Sequence, residues 1–168
     1  VLVCEAAGFD VVIVETVGVG QSETAVAEMT DLFLLLLAPA AGDELQGIKK
    51  GIVELADMIL VNKADNDLVE AANHAAADYR SAVHMIRPAS PNWRVPVLTC
   101  SAMTGDGIAK AWRKIEDFRA AMTDSGEFSD PGGEEICVVH PGLDDIWLER
   151  FNEAIETKES GGIDDRVD

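Results

Sequence analysis

The sequence predicts an α/β protein in which a mostly parallel sheet of about four strands is flanked by helices and followed by a divergent helical tail. The first observation is that several short apolar runs lack the polar alternation of half-exposed strands, as is typical of strands buried in a parallel sheet. The second is that the apolar residues between these runs recur at helical spacing. Strands that alternate with helices imply a parallel sheet joined by right-handed crossovers.

Four segments have the composition of buried strands, and they span residues 11–14, 31–38, 57–61 and 95–100. The first, Val11–Val14, consists of four β-branched residues and is predicted to be buried on both faces. Pro39 ends the second strand because proline cannot donate a hydrogen bond to a neighbouring strand. Ile136–Val139 has the composition of a further short strand.

Helices are predicted before, between and after these strands. A helix end at Val1–Ala7 is closed by Gly8, and a short helix follows near Glu23–Met29. Apolar residues at helical spacing predict longer helices at Leu45–Leu55, Leu68–Ile86, Ile108–Met122 and Leu143–Ile155. The composition changes after Phe128, so we divide the chain into residues 1–126, an α/β unit, and residues 127–168, a linker, a helix and an acidic tail.

The composition is that of a globular protein with a strongly acidic surface. A net charge of −18 over 168 residues and a pI near 4.3 argue against nucleic acid and anionic lipid as partners. The longest apolar run, Leu32–Ala38, is too short to span a membrane. Cys4, Cys100 and Cys137 are far apart and lack histidines at ligand spacing, so they predict neither a disulfide framework nor a zinc site.

The stretch from Asp10 to Glu23 has the features of a phosphate and magnesium site. Glu15 lies at the carboxyl end of the first strand, where a parallel sheet opens into a crevice. Gly18 and Gly20 let the backbone approach a ligand closely, and Ser22 can cap the helix that follows. Because a strand, a glycine turn and a helix occur in every α/β protein, this stretch alone leaves an ordinary turn equally open.

Two polar motifs follow the third and fourth predicted strands. Asn62-Lys-Ala-Asp65 comes directly after the third strand, and Ser101-Ala-Met103 comes after the fourth. An aspartate carboxylate can accept hydrogen bonds from both N1–H and the exocyclic amine of guanine, whereas adenine offers no matching donors. We therefore expect Asp65 to select guanine.

Together these segments resemble the MeaB/ArgK/MMAA family of P-loop GTPases, which accompany the cobalamin-dependent methylmalonyl-CoA mutase. The resemblance covers residues 1 to about 128 and rests on Val14-Glu-Thr-Val-Gly-Val-Gly-Gln-Ser-Glu23 and the two polar motifs. It implies that residues 1–126 are the C-terminal part of a GTPase domain. It also implies a GTP-hydrolysing metallochaperone that uses GTP/GDP and Mg²⁺ and assists adenosylcobalamin loading and protection of its mutase.

The resemblance also implies roles for individual residues in the first motif. Glu15 helps to hold Mg²⁺, and the Gly18 amide contacts the γ-phosphate. Gln21 is the candidate for positioning the attacking water, although a polar residue beside two glycines can also simply cap the turn. Gly18 and Gln21 are thus the predicted catalytic residues.

The same resemblance assigns the base and partner contacts. The predicted base-binding residues are Asn62, Lys63, Asp65, Ser101, Ala102 and Met103, with the Ala102 amide directed at guanine O6. Asp43, Gln46 and Lys49, spaced by three residues, are the predicted switch towards the mutase. Without the family, a solvated helix face is the simpler interpretation of that spacing.

The sequence departs from the family in two ways. No Gly-x-x-x-x-Gly-Lys-Ser/Thr motif occurs in these 168 residues, so we expect a C-terminal fragment that alone neither binds GTP tightly nor hydrolyses it. We also expect that the missing strand and loop precede Val1. After Phe128 an acidic segment replaces the family's basic, Trp-bearing helix and dimerising arm, which leaves the family's homodimer in doubt here.

Other functions remain open at this stage. One alternative is a non-catalytic α/β domain that keeps the fold and the partner surface; another is a related GTPase that serves a different metal cofactor or acyl-CoA mutase. The expected location is the cytoplasm, or the mitochondrial matrix if the source is eukaryotic.

Overall fold

The computed structural model describes residues 2–9, 11–17, 22–39, 50–128 and 134–140. Its elements in chain order are α1 (Leu2–Ala6), β1 (Val11–Val17), α2 (Ser22–Ala27), β2 (Leu32–Leu37), α3 (Lys50–Leu55), β3 (Met58–Val61), a 3-10 turn (Asn66–Leu68), α4 (Val69–His84), β4 (Val97–Thr99), α5 (Ile108–Ser125) and β5 (Glu134–His140). The α/β fold class predicted from the sequence is confirmed. Gly8 follows α1 with a φ of 85°, as predicted for the residue that ends this helix.

The five described strands form one sheet in the order β1-β5-β2-β3-β4, and every neighbouring pair is parallel. Leu34 in β2 is level with Met58 in β3, and Leu60 in β3 is level with Leu98 in β4. Because all strands run in the same direction, their carboxyl ends lie along one edge of the sheet. Any loops that leave those ends therefore share one side of the molecule.

The two faces of the sheet carry separate parts of the core, following the alternation of side chains along each strand. One face packs α5 against Leu32, Leu34 and Leu36, together with Met58 and Leu60. The opposite face packs α3 and α4 against the intervening residues Phe33, Leu35, Leu37, Ile59 and Val61. All six residues of β2 are buried, which is why its sequence shows an unbroken apolar run.

Helix α4 covers its face of the sheet with small side chains. Its buried residues are Ala72, Ala75, Ala76 and Tyr79. Alanines at the helix–sheet interface allow the helix axis to approach the strands closely. Leu68, which the apolar spacing assigned to this helix, lies instead in the preceding 3-10 turn and is 42% exposed.

The first strand differs from the prediction in its burial. Val11–Val14 was predicted to be buried on both faces, but these residues are only half-buried, and Glu15 is exposed. The reason is position: among the described strands β1 lies at one end of the sheet, with β5 as its neighbour. An apolar run predicts that burial of the strand is favourable. How completely the strand is buried depends on which elements pack against it.

The strand expected at Ile136–Val139 exists, is longer, and lies inside the sheet. It runs from Glu134 to His140 and pairs with β1 on one side and β2 on the other. Cys137 is level with Val14 of β1 and with Phe33 of β2. The sheet therefore has five described strands where about four were expected, and part of the segment 127–168 belongs to it. The boundary placed after residue 126 stays a prediction.

Some predictions fall on residues outside those that the structure describes. They include the helix predicted at Leu143–Ile155 and the first part of the helix predicted at Leu45–Leu55, whose described part is α3. Within the described ranges, no helix is long and apolar enough to cross a bilayer.

Candidate functional site

The residues predicted to bind the base lie at the carboxyl edge of the sheet. Glu15 is near the end of β1, Asn62 directly follows β3, and Ser101 is two residues beyond β4. In the register of the sheet, Glu15 is level with Val138 of β5 and Leu34 of β2, and therefore with Met58 at the start of β3. Three inter-strand steps across the sheet and four residues along it place Glu15 about 20 Å from Asn62. The two base-reading loops thus lie together at the carboxyl edge, and the predicted metal ligand lies three strands away and further back along the sheet.

Asn62 joins the two base-reading loops from a buried position. Its side chain is 4% exposed, and its Oδ1 accepts a hydrogen bond from the Ala102 amide at 2.9 Å and a weak one from Cys100 Sγ at 3.7 Å. The backbone N–H of Asn62 donates to Leu37 O at 2.7 Å, and the backbone N–H of Ala64 donates to Cys100 O at 2.9 Å. These bonds fix the loop after β3 against the loop after β4.

Two hydrogen-bond donors, one to each carboxylate oxygen, orient the Asp65 side chain. Ser101 Oγ donates a hydrogen bond to Asp65 Oδ2, and Asn66 Nδ2 donates to Oδ1 at 2.9 Å. Ser101 is fully buried and also accepts a bond from the Thr104 amide at 3.1 Å, so its hydroxyl is held in place. Asp65 itself is only half-buried. Because each carboxylate oxygen has two lone pairs, both oxygens can still accept a bond from a ligand.

The backbone of the loop after β3 is strained, and the sequence does not predict this strain. Lys63 has a φ of 60° and Asn66 a φ of 47°, both in the left-handed region that non-glycine residues rarely adopt. Asparagine tolerates this conformation better than lysine does. Such residues concentrate at binding sites, where surrounding bonds hold them in place. The observation agrees with a loop shaped for a ligand.

The loop after β4 is a compact turn that leads into α5. The Ser101 amide donates to Asp106 O at 2.9 Å, and the Gly105 amide donates to Ser101 O at 2.9 Å. Gly107, with a φ of 78°, begins α5 so close to β4 that a Cβ there would lie 2.4 Å from Thr99 O. Only glycine fits this position, and the loop containing Ser101 is held between the strand and the helix.

Ala102 and Met103 occupy different environments within this loop. Ala102 is buried, and its amide donates to Asn62 Oδ1. Met103 is 66% exposed at the rim. The predicted contact of the Ala102 amide with guanine O6 stays a prediction, and in this structure that amide binds Asn62.

Cys100 is a neighbour of Asn62 that the sequence motifs did not single out. Burial raises the pKa of its thiol to about 12, so the group stays protonated and acts as a weak donor to Asn62 Oδ1. Its role here is to support the amide oxygen of Asn62. The thiol is free, and nothing in its surroundings activates it as a nucleophile.

Glu15 is the described part of the predicted phosphate and magnesium site. A single exposed carboxylate at a strand end suits Mg²⁺, which protein carboxylates commonly hold together with water and substrate phosphates. Among the residues that the structure describes, no group of three or more His, Cys, Asp or Glu side chains could hold a metal by itself. Gly18 and Gln21 lie outside those residues, as do Asp43, Gln46 and Lys49.

Comparisons with known proteins agree with this geometry. Residues 1–136 match the family model described as methylmalonyl Co-A mutase-associated GTPase MeaB. The GTPase ArgK of Escherichia coli is 54% identical over 125 residues, which cover 74% of this chain and 38% of that protein. The mitochondrial methylmalonic aciduria type A homolog of Mus musculus is 48% identical over 129 residues, covering 77% of this chain and 31% of that protein.

A solved structure shows the same fold over nearly the whole chain. The crystal structure of a LAO/AO transport system kinase superposes with a TM-score of 0.70 at 41% identity, covering 95% of this chain and 46% of that one. The chain therefore spans about a third of the length of the two relatives above and about half of this structure.

Proposed function

The chain belongs to the MeaB family of GTPases, and we propose that it supplies the guanine-reading half of a GTPase that assists adenosylcobalamin loading and protection of methylmalonyl-CoA mutase or a related mutase. The observation that carries the proposal is the Asp65 carboxylate, oriented by buried Ser101 at the carboxyl edge of the sheet. A fixed, half-buried carboxylate is suited to two adjacent donors on a planar base.

The selectivity of this arrangement follows from hydrogen-bond chemistry. Guanine presents N1–H and an exocyclic amine to Asp65, and both bonds are strengthened by the carboxylate charge. Adenine would leave the carboxylate desolvated without donors, which is far costlier than losing an apolar contact. Asn62 contributes by fixing both loops, and the Lys63 stem would lie along the base.

The remaining family roles extend the proposal to the phosphates. Glu15 would hold Mg²⁺ together with phosphate oxygens, the Gly18 amide would contact the γ-phosphate, and Gln21 would position water. Bound Mg²⁺ neutralises charge that develops on the transferred phosphoryl group. An extended nucleotide with its base at Asp65 would place its phosphates towards β1, the strand that carries Glu15.

The partner side of the proposal rests on the family. Hydrolysis would release the γ-phosphate contacts and relax the segment Thr16–Glu23, which a bound mutase could sense. Asp43, Gln46 and Lys49 would form the partner surface. We place the protein in the cytoplasm, or in the mitochondrial matrix of a eukaryote, as the mouse relative is named mitochondrial.

The base-reading claim can be tested on the 168-residue chain alone. Guanosine, inosine and adenosine are titrated into ¹⁵N-labelled protein, and amide shifts of Ala64, Asn66 and Met103 are followed. We expect affinity to fall from guanosine to inosine, which lacks the exocyclic amine, and again to adenosine. Equal binding of all three nucleosides, or shifts only elsewhere, would refute the proposal and favour a non-catalytic partner-binding domain.

A further inference from the structure

A second cleft lies at the opposite edge of the sheet from the base-reading loops. It has a volume of about 260 Å³ and lies between α3, the end of α4 and the segment 83–95. Asp57 directly precedes β3, and Val95 is two residues before β4. The cleft is therefore at the amino ends of the two strands whose carboxyl ends lead to Asn62 and Ser101. Of the residues predicted to bind the nucleotide, none that the structure describes lines it.

The inner wall of the cleft is apolar and firmly held. Its apolar residues are Val53, Ala56, Val83, Ile86, Trp93 and Val95. Trp93 Nε1 donates to Asp57 O at 2.8 Å, and the Trp93 ring packs edge-on against Phe118 with centroids 5.1 Å apart. The volume is close to the lower end of the range of about 300–1,000 Å³ found for small-molecule pockets. The cleft thus offers a preformed wall for a small apolar group.

The rim of the cleft is cationic in an otherwise acidic chain. Arg87, Arg94 and His84 line it. Residues 79–105 contain three arginines, one histidine and no aspartate or glutamate, although the chain as a whole has a net charge of −18. Arg87 and Arg94 offset the charge of the two carboxylates that also line the cleft, so on a chain of net charge −18 this patch repels anions less than the rest of the surface does.

Two carboxylates also line the cleft, and one of them is already engaged. The Phe33 amide donates to Asp57 Oδ2 at 3.0 Å, and burial raises the pKa of Asp57 to about 6. Asp57 therefore takes up a proton at a higher pH than an exposed carboxylate would, and once protonated it does not repel an anion. The other carboxylate, Glu54, is exposed on α3, on the side of the cleft opposite the segment 83–95.

We propose that this cleft binds a small organic anion, with a short apolar body against Val83 and Trp93 and a carboxylate or phosphate head at Arg87 and Arg94. Arginine suits either head group because its planar fork donates two parallel hydrogen bonds. The proposal does not depend on the GTPase function, since the cleft shares no residue with the base-reading loops.

The test uses the full 168-residue chain and three probes that share a five-carbon tail. Hexanoate, pentyl phosphate and the neutral hexanamide are titrated at low salt, with ¹⁵N amide shifts of Ala56, Ala89 and Val95 and the indole signal of Trp93 as readouts. We expect both anions to shift these signals with affinities about tenfold or more above that of hexanamide. The tighter of the two anions identifies the head group.

The variant Arg87→Gln/Arg94→Gln, which removes two exposed charges, should weaken hexanoate about tenfold or more. Arg113→Gln is the matched control, because Arg113 is an exposed arginine on α5 outside the cleft and its loss should leave hexanoate affinity unchanged. Equal affinities for hexanoate and hexanamide on the parent chain would overturn the proposal without any variant. An equal loss of hexanoate affinity in the double variant and in the Arg113→Gln control would also overturn the proposal.

Discussion

Replacing Asp57 should change the free energy of unfolding in a way that depends on pH. Desolvation by burial raises the pKa of this carboxyl from 3.8 to about 6, against the opposing effect of the hydrogen bond from the Phe33 amide. The folded chain therefore binds the Asp57 proton more tightly than the unfolded chain does. Between these two pKa values the stability falls as pH rises, and the loss is complete above about pH 6.

The magnitude follows from the size of the shift. A shift from 3.8 to about 6 corresponds to a cost of about 3 kcal/mol for the ionised carboxylate at neutral pH. Asp57→Asn removes the negative charge and keeps an oxygen that can accept the hydrogen bond from the Phe33 amide. Part of the cost of ionising Asp57 is already present at pH 5. The difference in free energy of unfolding between the variant and the parent should therefore grow by about 1 kcal/mol between pH 5.0 and 7.5.

The assay is urea unfolding of both proteins at pH 5.0 and 7.5, compared as the difference between variant and parent. Asp124→Asn is the control, because Asp124 is exposed near the end of α5 and its replacement should show no comparable growth with pH. A gain for Asp57→Asn that stays constant or shrinks as pH rises would refute the claim that burial penalises this carboxylate.

Two further predictions concern the turn before α5 and the partner surface. Gly107→Ala should destabilise the protein by about 2–3 kcal/mol more than Gly105→Ala, because both positions have a positive φ but only at Gly107 would the new Cβ meet Thr99 O. Thermal or urea unfolding of the two variants measures this difference. Equal losses of stability in the two variants would contradict the prediction. Alanine at Asp43, Gln46 and Lys49 together should weaken binding to methylmalonyl-CoA mutase at least tenfold in calorimetry while guanosine binding is unchanged, and unaltered mutase binding would remove these residues from the interface.

Local patterns were sufficient to predict most of the described elements. The apolar run of β2 and the small-residue face of α4 are encoded by neighbouring residues, and burial of those residues is what the structure shows. The position of β5 was not predictable in this way. Whether the segment 134–140 pairs at an edge or between β1 and β2 depends on contacts with strands about a hundred residues away along the chain. The half-burial of Val11–Val14 has the same origin.

The candidate site shows a similar division. The positions of Asp65 and Ser101 after β3 and β4 could be predicted from the motifs, and the structure brings the two side chains into contact. The buried bond from the Ala102 amide to Asn62 and the left-handed backbone of Lys63 could not, because they depend on how two loops meet in space. Cys100 was considered only as an incidental thiol, and its contact with Asn62 Oδ1 appears only in the folded chain.

In the proposed function, the Asp65 carboxylate, held by Ser101, accepts hydrogen bonds from N1–H and the exocyclic amine of a guanine base. Asp65→Asn replaces one carboxylate oxygen with a donor, which suits the exocyclic oxygen of xanthine and opposes the amine of guanine. Guanosine and xanthosine affinities are measured by ¹⁵N amide titration for the parent chain and the variant. We expect the parent to prefer guanosine, the variant to prefer xanthosine, and the ratio of the two affinities to change by at least tenfold. An unchanged ratio would show that Asp65 does not contact the base.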